Sequence, residues 1–156
     1  MQYDIRVFDD PDLPSLARIY KASIRYVGNE YYSDDQIAAW SSFPDDIEAF
    51  QKWITVAMTF VAIDNQQSFL GFGGLEDHGR ISSLYVSPNV MRKGIGAALL
   101  KQLISEVKIR GIATVTTEAS EFSKSLFEKF GFTVKNIEHT EFNGIKFTRY
   151  AMRLRI

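Results

Sequence analysis

The sequence predicts an α/β fold, a mixed, mostly antiparallel central sheet flanked by helices on both faces. Residues 59–86 read as three strand-like runs in succession, joined by short polar turns. Runs with helical spacing lie on either side of them, so helices and strands must share one core. The chain closes on two alternating runs around Asn143-Gly144, the strongest short-range hairpin signal. With 156 residues, 46% of them apolar and 24% charged, the chain suits one globular domain over residues 1–156.

Tyr3 to Val7 reads as an opening strand, and Pro11 to about Val27 as a helix with Leu13, Leu16, Ile19, Tyr20 and Ile24 near one face. Ser33 with Gln36 three residues on has the form of a capping box, starting a helix that runs to Trp40. After Pro44, residues 45–55 form another helix with Ile47, Phe50 and Ile54 on one side. The strands then follow at 59–64, 69–75 and 80–86. A long amphipathic helix spans 94–110, with Ile95, Leu99 and Leu103 four apart, and Gly111 stops it. A strand at 113–117, a helix at 122–130 ended by Gly131, and strands at 133–142 and 145–155 complete the order.

Composition excludes several function classes. Lys and Arg total 18 against 19 acidic residues, so no long-range field gathers nucleic acid or an anionic membrane. With no cysteine there is no disulfide, thiolate metal site or cysteine nucleophile, and no metal is expected. The opening MQYDIRVFDD has no basic segment followed by an apolar one, and no apolar run approaches the ~18 residues of a membrane span, which makes the cytoplasm the expected location.

The chemistry concentrates in ISSLYVSPNVMRKGIGAALL, residues 81–100, where a strand, a glycine-bearing loop and an amphipathic helix follow in that order. The first N–H groups of such a helix lack partners and carry partial positive charge, so an anion fits there. Gly94 and Gly96 let phosphate oxygens approach the backbone, and Arg92 and Lys93 add charge at the rim. A P-loop requires Gly-Lys followed by Ser or Thr, whereas Lys93 here precedes Gly94. A dinucleotide fingerprint requires a third glycine, and that position is Leu99.

The sequence LYVSP, RKGIGAALL, a strand and LFEKFGF resembles the acetyl-CoA-binding core of the GNAT superfamily of N-acetyltransferases, in an uncharacterised bacterial branch. The likeness extends through the whole chain order. It implies an enzyme that passes an acetyl group from acetyl-CoA directly to the amine of a small molecule or peptide. Backbone amides of Met91, Arg92, Lys93, Gly94, Ile95, Gly96 and Ala97 would cradle the coenzyme pyrophosphate. The pantetheine arm would follow Leu84, Tyr85 and Val86, with Ser120 and Phe127 beside it. The resemblance also allows a homodimer.

Two positions depart from the family pattern. Met91 stands where Gln or Arg is usual, removing one side-chain contact to phosphate. Phe127 stands where many members carry the tyrosine that protonates the leaving thiolate, which leaves a catalytically weakened acyl-CoA-binding regulatory domain as the alternative reading. A thiol with a pKa near 8.5 leaves without obligatory protonation, so transfer survives the loss. Glu76 is the candidate base, with Asp77 and His78 next to it, and Tyr150 on the last strand is a candidate hydroxyl. Tyr31, Tyr32 and Trp40 form a candidate acceptor wall suited to an apolar or aromatic amine, although aromatic residues at helical spacing also build cores.

Overall fold

A computed structural model describes residues 1–156. Seven strands form one sheet: β1 (Tyr3–Val7), β2 (Met58–Asp64), β3 (Phe69–Leu75), β4 (Arg80–Val86), β5 (Thr114–Ala119), β6 (Thr133–Phe142) and β7 (Ile145–Arg155). Helices α1 (Leu13–Tyr31), α2 (Asp34–Ser41), α3 (Ile47–Val56), α4 (Ile95–Ile109) and α5 (Lys124–Lys129) connect and cover them. The strand order is β1-β2-β3-β4-β5-β7-β6, antiparallel at every pairing except β4 with β5. No helix is long and apolar enough to cross a membrane.

Alternation along the central strands sends side chains to two separate cores, one on each face. On β2, Phe60 and Ala62 join the cluster built with Leu99, Leu100, Leu103 and Val107 of α4. Their neighbours Val61 and Ile63 join Leu16, Ile19, Tyr20 and Ile24 of α1 and Phe50 and Ile54 of α3. The predicted layering of helices on both faces therefore holds.

Most predicted elements appear within two residues of their expected ends, and the differences have local causes. The first helix begins at Leu13 because Asp9 caps a short 3-10 turn over Asp10–Asp12, where Asp12 bonds back to the Asp9 N–H at 2.8 Å. It continues past Val27 to Tyr31, ending where Tyr32 turns extended. The Ser33–Gln36 capping box forms as predicted, with reciprocal bonds of 3.2 and 2.9 Å. Helix α5 starts only at Lys124, since Ser120 and Ser123 trade backbone-to-hydroxyl bonds of 3.0 and 3.1 Å that hold the preceding residues in a turn.

Two irregularities shape the sheet where β4 lies. Gly74 pairs with Ser83 and Leu75 with Ile81, so Ser82 is an extra residue, a bulge that bends the strand. Beyond it, β4 and β5 pair only at Arg80 with Thr116 and Ile81 with Thr117, and then part. On the other side of β4, Gly71 is required, because a Cβ there would stand 2.8 Å from the Tyr85 carbonyl oxygen.

Candidate active site

The parting of β4 and β5 opens a cleft of about 630 Å³ between the two strands, α4 and α5. From Ser82 onward the β4 edge facing β5 has no partner strand, so its N–H and C=O groups are free to bond an extended ligand. Ser82 Oγ is the one buried side-chain polar atom in the protein without a hydrogen-bond partner, and its residue lines this cleft. At the far end stands the start of α4. Gly94 there has φ +89°, and open space surrounds the place where a side chain would go. Arg92 is also left-handed, with φ 61°, so the loop reverses tightly before the helix begins. The first helical bond of α4 runs from the Ala98 N–H to the Gly94 carbonyl at 3.0 Å, which leaves the N–H groups of Ile95, Gly96 and Ala97 without partners inside the helix.

Leu84, Tyr85, Val86, Met91, Arg92, Gly94, Gly96, Ala97, Ser120 and Phe127 all line this cleft. Lys93 lies exposed outside its wall. Ile95 is fully buried in the core, so only its backbone can face a ligand. Phe127 is buried edge-on against Phe132, with ring centroids 5.2 Å apart. These features suit a long ligand with amides along its middle and phosphates at one end.

A second cavity of about 360 Å³ opens from the first, sharing Trp40, Ile81, Ser82, Tyr85, Glu118 and Ser120 with it. Its walls are aromatic: Tyr20, Tyr32, Phe43, Trp53, Phe142 and Phe147 complete the ring around Trp40 and Tyr85. The rings interlock, Tyr85 stacking on Phe72 at 5.4 Å and Tyr32 meeting Trp40 edge-on at 5.3 Å. Burial pushes the Tyr85 phenol up to about 12 and raises Tyr20 and Tyr32 as well, so all three stay protonated at neutral pH.

Of the three aromatic residues singled out in the sequence, Tyr32 and Trp40 line the second cavity, whereas Tyr31 lines neither. One residue earlier on the last turn of α1, Tyr31 is 44% exposed and leans on Phe122. Glu76 also lines neither cavity. It follows β3 at the closed end of the β4–β5 pair, where Arg80 Nη1 donates to it at 3.1 Å and His78 approaches at 3.7 Å. Asp77 and His78 point to solvent. Tyr150, the candidate hydroxyl, lines neither cavity, its hydroxyl donating to Glu121 and its ring under the Lys124 ammonium at 4.6 Å. That bond to Glu121 raises the Tyr150 pKa.

Sequence reasoning missed Glu118. It projects from β5 into both cavities, accepting from Arg80 Nε at 2.9 Å and Nη2 at 2.6 Å. The bond from Glu118 is the main reason the Arg80 pKa is raised, with Glu76 adding to it. Only the meeting of β4 with β5 brings Arg80 and Glu118 together across 38 residues, and no local signal announces it.

A cleft between parting strands, a glycine-started helix and an adjoining aromatic cavity thus lie side by side. Residues 29–154 match the family described as the acetyltransferase (GNAT) domain. The uncharacterized N-acetyltransferase YafP of Escherichia coli is 31% identical over 149 residues, 96% of this chain and 93% of that protein. A crystal structure of a GCN5-related N-acetyltransferase from Rhodopseudomonas palustris superposes with a TM-score of 0.95 at 27% identity, covering 100% of this chain and 97% of that one. The PaiA N-acetyltransferase of Thermoplasma acidophilum, in complex with coenzyme A, shares the fold with a TM-score of 0.80 at 21% identity over the whole of both chains. The chain belongs to the GNAT family and is an N-acetyltransferase, moving an acetyl group from acetyl-CoA to the amine of an acceptor.

Proposed function

We propose that the long cleft holds acetyl-CoA and the aromatic cavity holds the acceptor, so that thioester and amine meet at the residues the two cavities share. The observation that carries this reading is the parting of β4 from β5 after two residue pairs, beside the glycine start of α4. The pyrophosphate lies on the N–H groups of Ile95, Gly96 and Ala97, with Arg92 and Lys93 adding charge from the rim. The pantetheine amides bond the free edge of β4 along Leu84, Tyr85 and Val86, while Ser120 and Phe127 close the opposite side. That the similarly folded PaiA is in complex with coenzyme A supports the choice of ligand.

Holding amine and thioester together converts a bimolecular reaction into an effectively unimolecular one, worth roughly several kcal/mol of the barrier. Tyr32 and Trp40 contribute flat apolar walls, which suit an aromatic or aliphatic amine. Glu76 supports the site through Arg80, and Tyr150 bonds Glu121 next to Ser120, which both cavities share. Residues 1–156 act as a single catalytic domain in a bacterial cytoplasm. Phe127 bears on how the thiolate leaves, because its buried ring has no proton to give it.

Calorimetric titration of acetyl-CoA into the intact protein and into Gly96→Trp tests the cofactor site, with thermal melting as the control for folding. Saturable binding that disappears in a folded Gly96→Trp supports the reading, and no binding by the intact protein overturns it. Thiol release with a panel of amines then shows which acceptors turn over.

A further inference from the structure

Glu118 is the one carboxylate that faces both cavities, and its bonding is lopsided. Both Arg80 nitrogens that reach it converge on Oε1. Oε2 has no protein partner, and it is not among the buried atoms left unsatisfied, so it opens into the cleft. Arg80 is shared with Glu76 at 3.1 Å, so two carboxylates divide one guanidinium and the cluster keeps one unneutralised negative charge. The other charge in the aromatic cavity, Arg149, is already neutralised by Glu138 at 2.7 Å. An aromatic cavity with a single free carboxylate oxygen at its inner end matches a cation on an apolar body.

Resting on the acetyl-transfer reading above, we propose that Glu118 Oε2 binds the acceptor as its ammonium and takes the proton that frees the nitrogen lone pair. The acceptor is then a primary amine on an aromatic or aliphatic body without an acidic group. The ammonium gives one proton to Glu118, and the nitrogen attacks the thioester carbonyl carbon. The C–N bond forms as the C–S bond breaks, and coenzyme A departs with the sulfur electron pair. The second nitrogen proton goes to the thiolate, while Glu118 returns its own proton to solvent. Arg80 acts as a positioning residue: by occupying Oε1 it fixes the carboxylate so that Oε2 faces the junction of the cavities.

The test titrates 2-phenylethylamine and its neutral counterpart 2-phenylethanol into the wild-type protein and into Glu118→Gln, near neutral pH and at low salt. The wild type should bind the ammonium about 10- to 100-fold more tightly than the alcohol, the range expected for a hydrogen bond to a charged group. Phenylalanine, which adds a carboxylate, should bind at least as weakly as the alcohol. Glu118→Gln should lose the preference for ammonium while binding the alcohol as before, and its kcat/KM for amine acetylation should fall by about 10²-fold or more with the KM for acetyl-CoA unchanged. A wild type that binds alcohol and ammonium equally, or a Glu118→Gln protein that keeps the wild-type preference, overturns the proposal. The wild-type comparison decides even when the variant does not fold. Failure of acetyl-CoA to bind is a separate result, which removes the transfer reading while the amine preference is still measured.

Discussion

Gly94 and Gly96 lie two residues apart in one motif, yet they have different duties that substitution by alanine separates. At Gly94 the backbone has φ +89° and no atom lies within 4 Å of the point a Cβ would occupy, so alanine meets no neighbour and is penalised by its own backbone alone. A left-handed conformation costs an L-residue about 1–2 kcal/mol. In a domain of this size that lowers the melting temperature by about 2–8 °C. Asn, which tolerates this conformation better, should lose less than alanine. At Gly96 the backbone is helical, and a Cβ would lie 3.3 Å from Leu126 Cδ2 and 3.5 Å from Val86 Cγ2, both mobile side-chain ends. Gly96→Ala should therefore melt within about 2 °C of the wild type, because the gain in helix propensity offsets slight crowding. In the proposed arrangement its methyl group stands at the phosphate approach, so acetyl-CoA affinity should fall about tenfold or more, the loss of one charge-assisted bond. Thermal melting and calorimetry of the three variants read both quantities. A Gly94→Ala protein as stable as wild type would refute the strain argument, and unchanged affinity in Gly96→Ala would refute the placement of the phosphates.

Further outcomes follow from the same geometry. Asp12 accepts two bonds from Arg6, at 2.7 and 2.9 Å, and these hold its carboxyl below the usual range. A depressed carboxylate contributes stability above its unfolded pKa, near 3.8, and loses it as pH falls through the lower folded value, so Asp12→Asn should cost about 1–3 kcal/mol at neutral pH and flatten the acid limb of a stability profile. Gly71→Ala places a Cβ 2.8 Å from the Tyr85 carbonyl, so chemical denaturation should show a loss of about 1–3 kcal/mol, accompanied by weaker acetyl-CoA binding because β4 is pushed out of line. Trp40 borders both cavities, and Trp40→Ala should raise the acceptor KM by about tenfold or more, with a smaller change for acetyl-CoA, in steady-state thiol-release assays.

How much of this was legible in the sequence depended on the range of the interaction. Capping by Ser33 and Gln36 and the Asn143-Gly144 turn, with φ of 51° and 77°, are settled within four residues and could be read directly. So could the glycine start of α4, because strand, loop and helix adjoin in the chain. Tyr31 and Tyr32 are neighbours in sequence, but α1 ends between them, and the change of backbone direction sends only Tyr32 inward. Glu76 stands out by its place just past a strand end, where its actual partner, Arg80, is also local. Glu118 sits in an ordinary alternating strand, Thr114–Ala119, and gains meaning only from the register of β5 against β4 and β7. That register depends on the packing of the whole sheet, which periodicity does not report.

The brief pairing of β4 with β5 also bears on how the molecule breathes. Two residue pairs are the whole strand ladder between the four-stranded half, β1 to β4, and the three-stranded half formed by β5, β7 and β6, and the rest of their union is a shared core under α4 and the Arg80–Glu118 bonds. Hydrogen exchange should find the amides of Ile81 and Thr117 opening more readily than those of the fully laddered β2 and β3. A ligand lying along that seam would bridge the two strands where their ladder ends, and slowed exchange on both sides of it would record that the gap has been filled.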